Sequence, residues 1–209
     1  MNILPLLEVY EFKEKIRLGR NYDGGYVIAD LTNKSKQRKL YDLYISAGVS
    51  DDDSFSVDFL SKYHIEDKFA FDGTIDIYPE DLDIIFVREN IGAIENRTHT
   101  NLQSFLESYR DVFIKMDIEG SEYGWLLALT DAHLNNIKQL VIEFHGINTN
   151  AWARAINDKI TCLTRLRKTH YLVHAHGNNN STVTEVLSRN VPDVIELTYV
   201  RKNYFDEIK

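Results

Sequence analysis

The segment VFIKMDIEGSEY at residues 112–123 combines a predicted strand, a glycine turn and the start of a predicted helix. Its first part, Val112–Met116, is an apolar run that predicts a buried strand. This run leads directly into Asp-Ile-Glu-Gly, after which Ser121–Leu129 has helical spacing. A second apolar run, Leu140–Phe144, follows that helix. A strand, a helix and another strand in close succession are typical of an α/β fold with a mostly parallel sheet.

Runs of the same kind lie on both sides of this stretch. Three more strands are predicted before it, at Tyr41–Gly48, Lys68–Phe71 and Asp83–Val87. Three more helices are predicted, at Ser54–Tyr63, Asn101–Arg110 and Ala151–Thr169. The last two predicted strands, Tyr171–His176 and Val194–Arg201, have no clearly apolar helix between them. They therefore indicate a hairpin-type pair and an antiparallel strand at one edge of the sheet.

The composition indicates one globular domain. The chain has 209 residues, of which 44% are hydrophobic and 27% charged, and such a chain can bury a substantial core. A polar loop at Asn33–Lys39 separates an N-terminal segment from the first predicted strand. We predict a single domain over residues 1–209, with the N-terminal segment at 1–38 and the core of the fold at 39–209.

Charge and cysteine content exclude several classes of protein. There are 24 basic and 32 acidic residues, a net charge of −8, which argues against a nucleic-acid binder. The single cysteine, Cys162, rules out an internal disulfide and a metal site made of thiolates. No apolar run approaches the roughly 20 residues that span a bilayer, and no export signal is recognisable. We therefore expect a cytoplasmic protein without a membrane span.

The first predicted strand ends in a glycine turn, Ala47-Gly48-Val49-Ser50-Asp51, and a helix follows. Glycine lets a ligand approach the backbone, and a helix N-terminus offers free N–H groups. The GxGxxG pattern of a dinucleotide site is missing. The acids at 51–53 would repel a phosphate and tolerate a cation, although they could equally cap the helix and complement its dipole.

The second predicted strand ends in Phe71-Asp72. An acid about 20 residues after a glycine turn is where Rossmann-type folds bind the hydroxyls of a ribose. Together with a turn that tolerates a cation, Asp72 suggests an adenosine ligand without phosphates. S-adenosylmethionine has a ribose and a positive sulfonium, and it fits both requirements.

A repeated spacing marks three later strand ends. Each carries two polar residues separated by an apolar one: Asp117 and Glu119, Glu143 and His145, His174 and His176. Residues i and i+2 of an extended chain share a face. We therefore expect the three pairs to gather at one edge of the sheet as proton-transfer or metal-ligating groups. Alternatively, Glu119 and Glu122 belong to the first turn of a helix, and a lone histidine is a core or surface residue.

The N-terminal segment contains the sequence Asp-Gly-Gly before an apolar run, at residues 23–28. Such a pattern predicts a tight hairpin turn. The functional alternative is a flap over the cofactor. In that alternative Arg20 or Asn21 contacts the cofactor carboxylate, and Tyr22 and Tyr26 supply stacking surfaces.

These motifs together resemble those of the FkbM-like methyltransferases. The resemblance is carried by GRNYDGGYV (19–27), SAGVSDDDSF (46–55), FDGTID (71–76), IKMDIEGSEY (114–123), VIEFHG (141–146), HAHGNN (174–179) and PDVIELTY (192–199). It extends over nearly the whole chain. It is nearest to a branch found in bacterial polysaccharide clusters and beside glycosyltransferase modules of large algal viruses. The chain departs from the general methyltransferase pattern where GVSDD replaces a GxGxG loop.

The resemblance implies a Rossmann-like fold with a seven-stranded sheet, parallel except for one reversed strand at the edge. It implies S-adenosylmethionine as the cofactor and a sugar hydroxyl as the acceptor. The residues implied for cofactor binding are Arg20, Asn21, Asp23, Gly24, Tyr26, Gly48, Ser50, Asp51, Ser54, Phe55, Asp72 and Asp117. Those implied to border the acceptor are Glu143, His145, His174 and His176, and Glu119 completes the candidate catalytic set with Asp117.

Two ways of activating the hydroxyl suit these residues. In the first, His145 or His176 is a general base, oriented by Glu119 or Glu143. In the second, Asp117, Glu143 and His145 hold a divalent ion, such as Mg²⁺ or Mn²⁺, that lowers the hydroxyl pKa. We expect a glycan acceptor, for example a terminal deoxyhexose such as rhamnose, and action beside a glycosyltransferase. The alternatives are a metal-dependent hydrolase with the same cluster and a non-catalytic module that binds glycan or nucleoside.

Overall fold

The computed structural model describes residues 3–21, 24–32, 39–148, 155–186 and 188–207. The strands in chain order are β1 (Lys15–Leu18), β2 (Tyr26–Ala29), β3 (Leu43–Ala47), β4 (Asp67–Phe71), β5 (Ile85–Val87), β6 (Asn90–Ile91), β7 (His99–Thr100), β8 (Val112–Met116), β9 (Ile137–Phe144), β10 (His170–Gly177), β11 (Val183–Val186), β12 (Arg189–Pro192) and β13 (Ile195–Arg201). The helices are α1 (Ser54–Lys62), α2 (Gln103–Ser108), α3 (Glu122–Ala128), α4 (Asp131–Asn136), α5 (Ile156–Thr169) and α6 (Lys202–Glu207), and a 3-10 turn precedes them at Leu4–Leu7.

Seven strands form the central sheet, in the order β10-β13-β9-β8-β3-β4-β5. Strands β5, β4, β3, β8 and β9 are parallel, whereas β13 is antiparallel to both β9 and β10. The predicted α/β Rossmann-like fold with a mostly parallel sheet is confirmed. The reversed strand lies second from the edge, because β10 pairs along its outer side.

The chain order of the strands reverses between β3 and β8. From β3 the chain proceeds outward through β4 and β5, and after β8 it proceeds the other way through β9. Ligands of open α/β sheets bind at such a switch point, outside the carboxyl ends of the strands. The end of β3 at Ala47 and the end of β8 at Met116 are adjacent in the register. Gly48 and Asp117 therefore emerge side by side in the crevice.

Burial explains why the central strands read as continuous apolar runs. Every residue of β3, β8 and β9 is buried, because both faces of the sheet are covered. One face packs against α3 and α5 through residues such as Trp125 and Leu163. The other packs against α1 and the N-terminal hairpin through residues such as Phe59 and Ile28.

The N-terminal hairpin is formed by β1 and β2, which pair from Lys15↔Ala29 to Leu18↔Tyr26. The predicted hairpin is therefore present, but the prediction of a tight turn was wrong, because residues 19–25 connect the two strands. Arg17 shapes this longer loop: its guanidinium donates to the carbonyl oxygens of Gly19, Arg20 and Gly25 at 3.2, 2.7 and 3.1 Å. The connection of seven residues is longer than the two to five residues usual for a hairpin loop.

The end of the chain follows the predicted pattern. Strands β10 and β13 pair antiparallel, and the small hairpin β11–β12 lies in the connection between them. The last predicted long helix begins at Ile156 in the structure, and its predicted first residues, 151–154, lie outside the described residues. Within the described part of the chain, none of the helices combines the length and apolar character needed to cross a membrane.

Candidate active site

The site is built around the glycine turn at the end of β3. Gly48 has a φ of +74°, in the left-handed region that glycine adopts without strain. Its N–H donates to the carbonyl of Phe71, and the Asp117 N–H donates to the carbonyl of Ala47. The donor–acceptor distance is 3.0 Å in both hydrogen bonds. A Cβ at position 48 would overlap the backbone carbonyl of Asp117. Glycine is therefore required for the close approach of the two strand ends.

Asp72 clamps this turn from the end of β4. One carboxylate oxygen accepts hydrogen bonds from the N–H groups of Val49 and Ser50, each with a donor–acceptor distance of 2.9 Å. The other accepts the N–H and the hydroxyl of Thr74. Burial opposes ionisation, but these hydrogen bonds, that from Ser50 first, lower the pKa of Asp72 below its ordinary value. Ribose binding by Asp72 stays a prediction. The Asp72 carboxylate already accepts four hydrogen bonds, so a ribose hydroxyl would either replace one of these donors or bind beside them.

The three acids after the turn have different environments. Asp51 is exposed and lines the cavity at the switch point, and Ser50 lies beside it. Asp52 accepts from the Ser54 hydroxyl at 3.0 Å and lies 3.5 Å from Nε of Arg20. Asp53 is buried and accepts from Ser46 and Tyr78. Asp53 occupies the N-cap position of α1 without a side-chain capping bond, so the capping alternative is wrong for this residue.

The loop of residues 19–25 contributes to the site from above the sheet. Arg20 and Gly24 line the cavity, whereas Asn21 lines a second one. Ser54 and Phe55 lie behind the loop and support it. The Ser54 hydroxyl accepts the Arg20 N–H at 2.9 Å, and the buried Phe55 ring packs edge-on against Tyr26. Tyr22 and Asp23 lie outside the described residues.

Tyr26 reaches the end of β8 from the hairpin. Its buried hydroxyl donates to Oδ2 of Asp117 over 3.0 Å. Burial, and next the negative charge of Asp117, raise the pKa of Tyr26 far above its ordinary value. Tyr26 is therefore a permanent donor that orients the Asp117 carboxylate.

His145 lies at the centre of a cluster of carboxylates. Its Nε2 lies 3.8 Å from Oδ1 of Asp117, 3.5 Å from Oε2 of Glu119 and 3.7 Å from Oε1 of Glu143. These separations exceed the usual length of a direct hydrogen bond. One donor atom each of Asp117, Glu143 and His145 lies within 4.8 Å of the others, a spacing suited to one metal ion. The structure thus brings together two of the three predicted pairs.

The other imidazole nitrogen is held by Glu122, the first residue of α3. Nδ1 of His145 lies 3.0 Å from Oε1 of Glu122, which also accepts the Gly120 N–H at 3.0 Å. Glu122 is completely buried. Since an ionised carboxylate only accepts, Nδ1 of His145 carries the proton and Nε2 is directed at the other acids.

The cluster has an excess of buried negative charge. Oδ1 of Asp117 and Oε2 of Glu122 are buried and have no hydrogen-bond partner among the residues that the structure describes. Burial, and then the charges of Asp117 and Glu196, raise the pKa of Glu143. Burial works to lower the pKa of His145, but the hydrogen bond and charge of Glu122 raise it above its ordinary value. The arrangement therefore favours a cation, either the imidazolium itself or a bound one.

A cavity of about 360 Å³ opens onto this cluster. It extends from the glycine turn to Asp117, Glu119, Glu143 and His145 on one side and to Asn178, Asn180 and Ser181 on the other. The Asn178 side-chain amide donates to Glu143 at 3.1 Å. The strand ends and the loop after β10 thus enclose one acidic chamber at the switch point.

The third predicted pair lies elsewhere. His174 and His176 line a second cavity, with Arg17, Asn21, Asn179 and Glu196. The three pairs lie at one edge of the sheet, but His174 and His176 do not join the carboxylates around His145. The reason is the strand order: β13 separates β10, which carries the histidines, from β9, which carries Glu143.

The sequence matches the family model described as the methyltransferase FkbM domain over residues 10–178. The chain belongs to the FkbM methyltransferase family. It is therefore a methyltransferase, and membership implies S-adenosylmethionine as the methyl donor. No curated protein matches the FkbM chain significantly.

Three solved methyltransferase-fold structures resemble the FkbM chain at low sequence identity. One is the precorrin-6y C5,15-methyltransferase of Geobacter metallireducens GS-15, with 11% identity, a TM-score of 0.41 and coverage of 81% of this chain and 85% of that one. Another is the fibrillarin pre-rRNA processing protein of Methanococcus jannaschii, with 12% identity, a TM-score of 0.45 and coverage of 78% of this chain and 68% of that one. The third is the N-methyltransferase NodS of Bradyrhizobium japonicum WM9, with 10% identity, a TM-score of 0.41 and coverage of 82% of this chain and 92% of that one.

Sequence reasoning missed two contributors to the FkbM-type site. Glu122 was assigned only to the helix start, although the spacing Glu119-Gly120-Ser121-Glu122 places two acids around a glycine with a φ of +97°. Lys115 was taken as part of an apolar strand, yet its buried Nζ donates to the Gly48 carbonyl at 2.6 Å. The sequence did contain a signal for Lys115, namely a lysine inside an otherwise apolar run. A buried ammonium group requires a partner.

Proposed function

We propose that the chain transfers the methyl group of S-adenosylmethionine to a hydroxyl of a neutral sugar in a glycan. The observation that carries this proposal is the single acidic chamber in which His145, its carboxylate neighbours and the glycine turn of β3 meet. An O-methyltransferase needs a donor site, an adjacent acceptor site and a group that receives the hydroxyl proton. The chamber combines candidates for all three.

The residues around the glycine turn fit a cationic donor. Asp51, Asp52 and Asp117 line the chamber beside Gly48, and a negative wall suits a sulfonium while it repels a phosphate. Gly48 has no side chain that would block a ligand from the backbone. When bound, the donor supplies an already activated methyl group. Arg20 at the loop is the candidate partner of its carboxylate.

His145 is the candidate proton acceptor for the sugar hydroxyl. Its Nε2 faces the chamber while Glu122 holds Nδ1. The positive charge of a bound donor would favour the neutral imidazole, with its one proton on Nδ1. The hydroxyl proton would then pass to Nε2, and Glu122 would stabilise the resulting imidazolium. Glu122, rather than Glu119 or Glu143, is therefore the orienting group in this mechanism.

The same residues fit a divalent ion. Two ligand atoms about 2.1 Å from one ion lie roughly 3 to 3.6 Å apart, close to the separations of Nε2 from its three neighbouring carboxylates. Oδ1 of Asp117, which accepts no hydrogen bond from the described residues, would be the ligand atom of this carboxylate. Asp117, Glu143 and His145 would hold the ion, whose chemistry would be to lower the pKa of the hydroxyl. We propose this as the second candidate for hydroxyl activation.

Several narrower proposals accompany the activity. We propose a place in the polysaccharide or viral glycan branch of the family, action beside a glycosyltransferase, and a cytoplasmic location. The motifs HAHGNN and VIEFHG support the first of these. We also propose that residues 1–209 act as one methyltransferase domain, supported by the packing of the N-terminal hairpin on the sheet.

Calorimetric titration with S-adenosylmethionine tests the proposal. We expect binding at micromolar to low millimolar donor, and mass spectrometry should show one added methyl group on a neutral oligosaccharide. A hydrolase or a passive glycan-binding module would show neither. Absence of donor binding at millimolar concentration contradicts the proposal.

A further inference from the structure

A second cavity, of about 480 Å³, lies next to the acidic chamber. Its polar lining consists of Arg17, Asn21, His174, His176, Asn179 and Glu196. The mechanism proposed above, with His145 as the base and Glu122 as its orienting group, uses none of these residues.

The two cavities lie on the same face of the sheet. His176 is the register partner of Glu196, and Glu196 is the register partner of Glu143. Register partners in neighbouring strands point to the same side, so these residues form a row across β10, β13 and β9. Adjacent strands are about 4.8 Å apart. His176 is thus two strand spacings, about 10 Å, from Glu143 in the acidic chamber, which is farther than one sugar ring reaches.

Two segments form walls of both cavities. In the loop of residues 19–25, Arg20 and Gly24 line the acidic chamber while Asn21 and Gly25 line the second cavity. After β10, Asn178 and Asn180 line the chamber while Asn179 lines the second cavity. Residues along both segments thus alternate between the cavities. A ligand that extends from one cavity to the other would therefore contact both segments.

The lining of the second cavity suits neutral hydroxyl groups. Asn21 and Asn179 each offer an amide donor and an amide acceptor. His174 is partly buried, and burial, followed by the charges of Lys15 and His176, lowers its pKa to about 4. His174 is therefore neutral near pH 7, with one donor nitrogen and one acceptor nitrogen. Amides and a neutral imidazole can pair with the adjacent hydroxyls of a sugar.

The same lining disfavours a phosphate. The guanidinium of Arg17 already donates to three backbone carbonyls of the loop. Glu196 and Glu143 add two carboxylates to the row, and like charges would repel a diphosphate. Among the described lining residues, Arg17 is the only lysine or arginine, so the diphosphate of a nucleotide sugar would face more carboxylates than such cations.

We propose that the second cavity binds the sugar unit adjacent to the methylated one, so that the acceptor is a neutral oligosaccharide rather than a nucleotide sugar or a single sugar. This inference rests on the proposed function, because it assigns the methylated unit to the acidic chamber. His176, Asn179 and Glu196 are then acceptor-binding residues. They determine specificity without contact to the reacting atoms.

The test compares acceptors of different length. Neutral hexose and deoxyhexose units, rhamnose among them, are offered as methyl glycosides, as disaccharides and as nucleoside-diphosphate sugars, with methyl transfer followed by mass spectrometry. We expect kcat/KM for the accepted disaccharide to exceed that of its single sugar by about tenfold or more, equivalent to about 1.4 kcal/mol. We expect no transfer to the nucleotide sugar. Equal values for single sugar and disaccharide, or preference for the nucleotide sugar, overturn the inference while the proposed function stands.

Two variants locate the effect. His176→Ala and Asn179→Ala should each lower the ratio of disaccharide to single-sugar kcat/KM towards one, and the exposed His64→Ala should preserve the ratio. A ratio unchanged in both variants overturns the assignment of the second cavity. If no sugar in any form is methylated although S-adenosylmethionine binds, the sugar acceptor itself is wrong, and this inference falls with the proposed function.

Discussion

The buried carboxylate of Glu122 accepts a hydrogen bond from Nδ1 of His145 over 3.0 Å. The contact joins the first turn of α3 to the residue directly after β9. It fixes which imidazole nitrogen faces the acidic chamber. Glu122 is therefore a positioning residue, which acts on the reaction through His145.

Replacement of this carboxylate should affect catalysis rather than donor binding. Glu122→Gln keeps the size and a hydrogen-bond acceptor but removes the charge that stabilises the imidazolium. We expect kcat to fall by about 10- to 100-fold, with the Kd for S-adenosylmethionine changed by less than about threefold. Steady-state kinetics and calorimetry measure the two quantities.

The chain contains a matched control for that substitution. Glu107 lies 3.4 Å from Nε2 of His133 but is mostly exposed and remote from the chamber. Glu107→Gln should leave kcat unchanged. Equal losses in the two variants would show that the Glu122 effect is not specific to His145.

The metal proposal predicts a binding constant that depends on Glu143. If Asp117, Glu143 and His145 hold the ion, Glu143→Gln should weaken Mn²⁺ binding by about tenfold or more. Electron paramagnetic resonance of free Mn²⁺ measures this directly. Asp76→Asn, which removes an exposed partner of Arg88, is the control and should bind Mn²⁺ normally. Full activity of the wild type after exhaustive chelation would remove the metal mechanism and retain His145 as the base.

The glycine turn can be tested by a single methyl group. Gly48→Ala would combine a left-handed φ with overlap of the Asp117 carbonyl, and we expect a loss of about 2 to 4 kcal/mol in the free energy of unfolding. Gly92→Ala is the control, because the nearest atom that its Cβ would meet lies 3.7 Å away on the His99 ring. Urea denaturation compares them. Equal stability of the two variants would show that the approach of β3 to β8 does not depend on Gly48.

The free energy of unfolding should decrease as pH is lowered, because the chain buries a neutral histidine, His170. Burial lowers the pKa of His170 to about 4, whereas an unfolded histidine titrates near 6.5. The unfolded state therefore binds the proton first as pH falls. Above about pH 6.5 the titration of His170 does not reduce the free energy of unfolding. Between that value and about pH 4 it reduces the free energy of unfolding by up to roughly 1.4 kcal/mol per pH unit.

Urea denaturation between pH 7.5 and 5 measures this dependence. His170→Gln should show a shallower loss of stability over this range than the wild type, and the exposed His64→Gln should keep the wild-type slope. An identical slope in His170→Gln would contradict the assignment. His174, whose pKa is also lowered, contributes to the slope that remains.

The sequence predicted the sheet well because its strands are buried on both faces. The run Val112–Met116 is apolar except for Lys115, and all seven central strands were predicted near their observed limits. The acidic pairs at residues 117–119 and 143–145 were also predicted to meet, since strand ends of a parallel sheet share one edge. Periodicity alone was sufficient for these features.

Contacts that depend on strand order could not be predicted in the same way. The insertion of β13 between β9 and β10 separates His176 from His145, and no local pattern encodes that order. The role of Glu122 depends on where α3 meets β9, a contact between residues 23 positions apart. The length of the loop after β1 depends on the Arg17 network, which a Gly-Gly turn signal does not reveal.

The role of His145 as the base is tested by the rate of methyl transfer in His145→Ala at saturating S-adenosylmethionine. With donor saturation verified by calorimetry, a single-turnover experiment on the accepted neutral oligosaccharide reports the transfer step alone. We expect a rate about 10² to 10⁴ times lower than that of the wild type, with donor affinity retained and with the exposed His64→Ala unaffected. A His145→Ala transfer rate equal to that of the wild type would contradict it.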